Sequence, residues 1–306
     1  MISSNMDRNF SYIIAPGEDG LTIERYLAAR GYSARLFSHL RSYSDGIQLN
    51  GSQAYTTRRL TAGDCLNIHL TEFPASEKLA VSKLPLSVVY EDEDVLVIDK
   101  PAGMPVHPSM GHHTNTVANA CAWHYRQESS PFLFRAINRL DRDTTGLMLI
   151  AKNPLSAAIL GPQAADRQIR RTYLAAAFGE VPPSGTIDAP IARVDGSTIE
   201  RCVDPEHGER SVTHYERLQF HNGLSLVKLR LETGRTHQIR VHMKHICHPL
   251  PGDFLYCPDF SRISRQALHS WQLEFTHPIT GEQMCFTAEL PDDMKRLFHS
   301  MENLHQ

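Results

Sequence analysis

The segment NRLDRDTTGLMLIAKNP, residues 138–154, constrains the fold more than any other. From Gly146 to Ala151 it is apolar without interruption. A strand with one wet face alternates apolar and polar side chains, so a run like this one must be covered on both faces, inside a layered sheet. Asn153 and Pro154 then supply an N-cap and a first helical residue, opening a helix over PLSAAIL. Immediately before the strand stand Arg139, Asp141, Arg142 and Asp143. Four charges at the mouth of a buried strand raise the question of which of them works, and on what.

The surrounding chain reads as strands mixed with helices. LSVVYEDEDVLVIDKPAG gives two short strands and a glycine turn, and TVANACAWHYRQ reads as a helix. In SLVKLRLE the residues Val227, Leu229 and Leu231 form the buried row of an alternating strand. The tail QALHSWQLEFTHPITGEQMCFTAEL reads as a hairpin closed by HPITGE.

Residues 21–72 have a different grammar. LTIERYLAARG and SARLFSHLRSY predict two short helices, the first ending at Gly31 and the second capped by Ser33. Asn50-Gly51 is a strong hairpin signal, with Ile47 and Leu49 before it and Leu66, Ile68 and Leu70 beyond a Gly63-Asp64 turn. Arg35, Arg41, Arg58 and Arg59 are left for the surface. The expected organisation is a unit over 1–72 including an N-terminal extension, a linker over the proline-bearing 73–86, and a larger unit over 87–306.

With 41% hydrophobic and 21% charged residues the 306-residue chain has the balance of an ordinary globular protein. Its 31 Lys and Arg against 34 Asp and Glu give a formal charge of −3, which excludes a polybasic coat and requires any phosphate binding to come from a local basic face. Six cysteines without a C-x-x-C pair argue for reduced thiols rather than a disulfide framework. No stretch approaches the roughly 20 apolar residues of a membrane span, so the expectation is a cytoplasmic protein with no membrane partner.

Asp141 and Asp143 are two apart and would share a face if the chain is extended there. A carboxylate can attack an anomeric carbon or act as a base, and either role needs a cation to keep it ionised in a partly dry site; the alternative is that both are turn residues tied to Arg139 and Arg142. In LETGRTHQIRVHMKHICHPLPGD, Gly234 ends a strand and Arg235 opens a helix whose core face is Ile239, Met243 and Ile246. Arg235 is a natural bidentate partner for Asp141, unless it makes a surface salt bridge. His242, His245 and His248 look like metal ligands, but Pro249 pushes His248 off the helix and the spacing fits no standard zinc arrangement, so no metal is assigned. Tyr173, in IRRTYLAAAF, could stack on a flat ligand or sit in the core. DKPAGMPVHP reads as a scaffold for the site.

Taken in order, these blocks resemble the RluA-type pseudouridine synthases from about residue 87 to 290: K-P-A-G through V-H-P at 100–108, NRLDRDTTG, RRTYLA, TGRTHQIRVHM, HPLPGDFLY and RQALHSWQLEF. The 1–72 unit is similar to the small RNA-binding module of ribosomal protein S-four type. The resemblance implies an α+β fold: a mixed, largely antiparallel central sheet with flanking helices and a catalytic cleft, preceded by the small α/β module. It implies isomerisation of uridine to pseudouridine without cofactor, by a monomer, in large-subunit ribosomal RNA, with transfer RNA or a non-catalytic RNA-binding role as alternatives. By the same resemblance Asp141 is the catalytic residue, Tyr173 packs on the flipped uracil and Arg235 holds the carboxylate. Arg139 and Asn138 contact RNA, Arg139 by entering the vacated stack, and Arg35, Arg41, Arg58 and Arg59 extend the RNA surface. Asn138 stands where the family usually has histidine.

Overall fold

The computed structural model describes residues 7–73, 79–126 and 132–298. The N-terminal unit opens with β1 (Arg8–Ile13), in the stretch read from sequence as an extension, and continues with α1 (Ile23–Ala28), α2 (Ala34–Leu40), β2 (Ile47–Leu49), β3 (Ser52–Gln53) and β4 (Cys65–Leu70). The four strands form an antiparallel sheet in the order β1-β4-β2-β3. The second helix starts where its Ser33 cap predicts, and the first is capped by Thr22: the hydroxyls of Thr22 and Ser33 accept from the amides of Arg25 and Leu36. Asn50 and Gly51 take φ of 51° and 80°, the doubly positive geometry of a two-residue hairpin turn.

The second unit comprises β5 (Ser87–Glu91), β6 (Val95–Lys100), α3 (Val117–His124), β7 (Thr145–Ala151), α4 (Pro154–Ala165), β8 (Arg170–Phe178), β9 (Ser184–Asp188), β10 (Ile191–Arg193), β11 (Arg201–Val203), β12 (Val212–His221), β13 (Leu224–Leu231), α5 (Gln238–His245), β14 (Leu268–Thr276), β15 (Gln283–Thr287) and α6 (Asp292–Lys295). Its nine-stranded sheet runs β5-β6-β7-β14-β8-β13-β12-β9, with β15 on β14. Pairing is antiparallel except between β7 and β14. The fold is thus α+β with a mixed, largely antiparallel sheet.

Every residue of β7 is buried, as its unbroken apolar run requires. One face carries Met148 and Ile150 into the core shared with Val117, Cys121 and Met243, while the other carries Leu147 and Leu149 toward Leu160 and Phe275. Gly146, at φ 108°, lies against β14 so closely that a Cβ there would sit 2.2 Å from the Ser270 carbonyl oxygen. The glycine of TTG is therefore what lets the two parallel strands meet. Asn153 caps α4 by accepting from the Ser156 amide, and the helix runs on to Ala165 past Pro162.

The two units are not beads on a string. Leu155 of α4 is buried in the apolar cluster of the N-terminal unit, with Ala158 and Ile159 packed beside it. Arg8 donates from Nε and Nη2 to the two carboxylate oxygens of Asp94 at 3.1 and 3.0 Å, and Arg135 donates to the buried Glu72. Residues 74–78 of the expected linker lie outside the described residues. The part that follows is packed down: Leu84 and Leu86 touch the main core, and Asn119 Nδ2 donates to the Ala80 carbonyl at 2.7 Å. Among the described residues no helix is long and apolar enough to cross a membrane.

His269 ties β14 into this core. Its ring is buried, with Nδ1 2.8 Å from the Thr145 hydroxyl and Nε2 3.3 Å from the Ala288 carbonyl. Burial is the main cause that pushes its pKa down to about 4. Since the folded pKa lies below the unfolded value of about 6.5, the unfolded chain binds more protons between those limits and stability falls as pH drops from about 6.5 to 4. We expect roughly 3 kcal/mol of acid sensitivity from this group. Denaturant titrations across that window should show a flatter pH dependence in His269→Gln than in the wild type.

Candidate active site

Asp141 sits on a turn just ahead of β7, closed by the Thr144 amide donating to the Asp141 carbonyl. The turn is held by its backbone. Lys100, fully buried, donates from Nζ to the carbonyls of Pro101, Met104 and Arg142 at 2.7, 3.0 and 2.8 Å. Burial pushes its pKa down to about 7, against the opposing pull of the Asp143 and Asp141 carboxylates. Arg265 donates to the Asp143 carbonyl, and Gln266 to the Thr144 hydroxyl. The K-P-A-G and RQALHSWQLEF blocks are therefore the scaffold of this turn.

The turn sends the two aspartates to different partners, contrary to the shared face that an extended chain predicts. Asp143 is held by its neighbour Arg142 through both oxygens. Asp141 accepts from Arg240 Nη1 at 2.9 Å, and its side chain keeps 27% exposure toward a cleft. Arg240, buried in α5, also makes a two-pronged bond to the buried Asp253, Nε to Oδ2 at 2.6 Å and Nη2 to Oδ1 at 2.7 Å. The two carboxylates hold the guanidinium protonated even more firmly than usual, despite its burial.

Arg235 is thus not the mate of Asp141. It is exposed, ion-paired with Glu209, and its Nε donates to the Arg210 carbonyl. The physical reason is the junction between β13 and α5. His237 takes a left-handed φ of 59°, and Gln238 accepts from the Arg235 amide, so the chain reverses before the helix begins. The residue that reaches the carboxylate lies inside the first turn of α5. The TGRTHQIRVHM block holds both arginines, and only the fold distinguishes them. The cue that could have found Arg240 is the aspartate in HPLPGDFLY, an acid that a buried arginine would need.

The other candidates fall as follows. Tyr173 is buried in β8 and lines the inner cleft with Asp141, Leu140, Ile239 and Arg240. Arg139 is exposed and lines both the inner cleft and the wider outer cavity of about 430 Å³. Asn138 is buried instead of presented for RNA: its Oδ1 accepts from the Leu149 amide at 2.7 Å and its Nδ2 donates to the Leu147 carbonyl, so its amide serves as an extra rung on β7. Arg35 and Arg41 are exposed on and just after α2, and Arg58 and Arg59 are exposed in the loop bridged to Thr22. His242 has both ring nitrogens engaged, on the Thr213 hydroxyl and the Ala189 carbonyl, and His248 meets the Phe178 carbonyl. Those histidines do not converge.

Sequence reasoning did not single out His237. It stands with Nε2 3.9 Å from the Asp141 carboxylate and Nδ1 2.9 Å from the Tyr256 hydroxyl. Burial lowers its pKa more than Asp141 raises it, so the imidazole is neutral at neutral pH. The carboxylate therefore depends on Arg240 for its counter-charge.

A family model described as RNA pseudouridylate synthase matches residues 94–245, from the turn before β6 to the end of α5. An uncharacterized RNA pseudouridine synthase of Bacillus subtilis, YjbO, is 40% identical over 278 residues, covering 90% of this chain and 98% of its own. The chain belongs to the RNA pseudouridylate synthase family. Ribosomal large subunit pseudouridine synthase D of Haemophilus influenzae is 38% identical over 274 residues, covering 85% of this chain and 84% of that one. The solved structure of human RNA pseudouridylate synthase domain containing 1 superposes with a TM-score of 0.56 at 26% identity, over 67% of this chain and 83% of that chain. The protein is an RNA pseudouridine synthase.

The two arginines of the block make opposite predictions. Arg240→Met leaves Asp253 buried without its cation, and should destabilise the fold by about 3–5 kcal/mol while removing the guanidinium that holds Asp141 in place. Arg235→Gln removes only an exposed pair, worth at most about 1 kcal/mol. Thermal or denaturant unfolding of the two variants, with single-turnover isomerisation at saturating RNA, should rank Arg240→Met far below wild type and Arg235→Gln within a few-fold of it.

Proposed function

We propose that the protein converts uridine to pseudouridine in large-subunit ribosomal RNA, with the Asp141 carboxylate as the group that acts at the ribose. The observation that carries this reading is the placement of an acid, paired to a buried arginine, at the floor of a cleft walled by a tyrosine ring. Isomerisation breaks the bond from C1′ to N1, turns the uracil while it stays enclosed, and forms a bond from C1′ to C5. The proton displaced from C5 leaves and N1 gains one, so no electrons are exchanged and no redox cofactor enters.

The target nucleotide must leave its stack, at a cost of a few kcal/mol that contacts in the pocket offset. Tyr173 offers an aromatic face for the everted base, and Arg139, at the exposed edge, is free to fill the space left behind. Asp141 serves either as nucleophile at C1′ or as the base that takes a neighbouring ribose proton. Both routes use the carboxylate in the position where Arg240 holds it.

The preference for ribosomal RNA draws support from the named activity of the Haemophilus relative. The N-terminal unit, two capped helices on a small antiparallel sheet with Arg35, Arg41, Arg58 and Arg59 exposed, fits an RNA-binding module of ribosomal protein S-four type that adds affinity and site choice.

Two measurements test this. Asp141→Asn should abolish pseudouridine formation while RNA binding and thermal stability persist; retained turnover would remove Asp141 from the chemistry. Mapping pseudouridine in ribosomal and transfer RNA from cells with and without the protein should show sites lost only in large-subunit RNA. For the module, changing Arg35, Arg41, Arg58 and Arg59 together to Gln should weaken RNA binding without changing the single-turnover rate at saturation. Deleting residues 1–72 would be a poor test, because it strips the cover from Leu155 and leaves Arg135 without Glu72.

A further inference from the structure

The cleft contains more positive charge than the catalytic pair uses. Five arginines line its inner and outer parts: Arg139, Arg167, Arg171, Arg235 and Arg240. Arg235 and Arg240 are committed to Glu209 and to the two aspartates. Arg139, Arg167 and Arg171 have no hydrogen bond or ion pair from their guanidinium groups among the described residues. The acids that line the same space are already engaged, Asp141 by Arg240 and Glu232 by Arg210 and His214. A guanidinium left unpaired beside committed carboxylates is available to an incoming anion.

Two of these groups are placed by the backbone. Arg171 is two residues before Tyr173 on β8, so the two side chains leave the same face of the strand, and both line the inner cleft. Gly234 makes room for it: a Cβ at that position would lie 3.2 Å from Arg171 Nη2. Arg167 follows the end of α4 with a left-handed φ of 62°, a conformation uncommon for a residue with a Cβ. It is fixed there by its own amide on the Ala164 carbonyl and by the Gln168 amide on the Gln163 carbonyl at 2.8 Å. The turn thus presents Arg167 at the outer rim while the strand presents Arg171 deeper in.

Resting on the assignment of RNA as substrate, we propose that Arg167 and Arg171 grip the phosphodiesters adjoining the everted uridine. The planar fork of a guanidinium matches two non-bridging phosphate oxygens. Phosphate contacts of this kind set register and orientation, whereas base contacts set sequence. Arg171, beside Tyr173, would hold the strand where the base enters; Arg167 would hold it where it leaves the rim.

The experiment uses the full chain and unmodified, transcribed large-subunit ribosomal RNA. Arg167→Gln and Arg171→Gln should each weaken binding about tenfold at physiological salt. Each should also reduce the slope of log affinity against log salt by about 0.7, the signature of one fewer phosphate neutralised on a single strand. The kinetic loss should appear mainly in KM. Arg171→Lys should keep the slope and lose part of the affinity, and Gly234→Ala should weaken binding in the same direction as Arg171→Gln. Wild-type affinity and salt slope in both Gln variants, or a fall in kcat with affinity unchanged, would overturn the inference. The parent reading fails separately: if wild-type protein places no pseudouridine in this RNA, the ribosomal assignment falls, and the phosphate grip falls with it only if affinity is also indifferent to both substitutions.

Discussion

Arg240 is the interaction on which the rest of the site depends. Its side chain is 1% exposed, and a lone cation in such a place would be intolerable without close anionic partners. Asp253 supplies a two-pronged partner from the far side, and also accepts from the amides of Leu255 and Tyr256, so the loop after α5 is folded around the same carboxylate. The third guanidinium nitrogen is then aimed at Asp141. Removing Arg240 would leave two carboxylates, one of them buried, with no counter-charge between them. Asp141, a helix and a loop are therefore coupled through one group that cannot lose its proton in the accessible pH range.

That coupling explains why the turn before β7 is pinned so thoroughly. Arg240 is fixed in α5, 99 residues beyond Asp141 in the chain, and the 2.9 Å bond between them survives only if both backbones hold still. Lys100, Arg265 and Gln266 come from two separate segments and fasten the Arg142 carbonyl, the Asp143 carbonyl and the Thr144 hydroxyl. Gly146 lets β7 settle against β14 immediately below. A site built on strand ends in this way is more precise than one on a free loop.

What the sequence made legible is what local chemistry decides. The covered strand, the Asn153 cap, the Asn50-Gly51 turn and the tail hairpin each depend on residues within a few positions of one another, and they stand where the pattern puts them. The choice between Arg235 and Arg240 was not local. It turns on the left-handed backbone of His237, which reverses the chain, and on Asp253, which arrives from another segment. The separation of Asp141 from Asp143 has the same origin, since a turn rather than an extended strand carries them. Asn138 is expected at the RNA by resemblance alone; only the position of β7 shows that its amide serves the strand.

The junction between the two units follows from the same distinction. A proline-bearing stretch with mixed polarity reads as a spacer, yet α4 presents Leu155 to one core and Leu160 to another. A helix amphipathic toward two cores cannot be divided between independent domains without exposing one of its faces. With Arg8 bonded to Asp94 and Asp94 in turn accepting from Asn153, the cap of that helix, the N-terminal sheet is anchored at the helix's first turn. The far end of the same helix carries Arg167 into the cleft. The orientation of the N-terminal unit and the position of the cleft rim are therefore set by one rigid element. The N-terminal unit therefore meets the cleft at an angle fixed by packing, instead of through a tether.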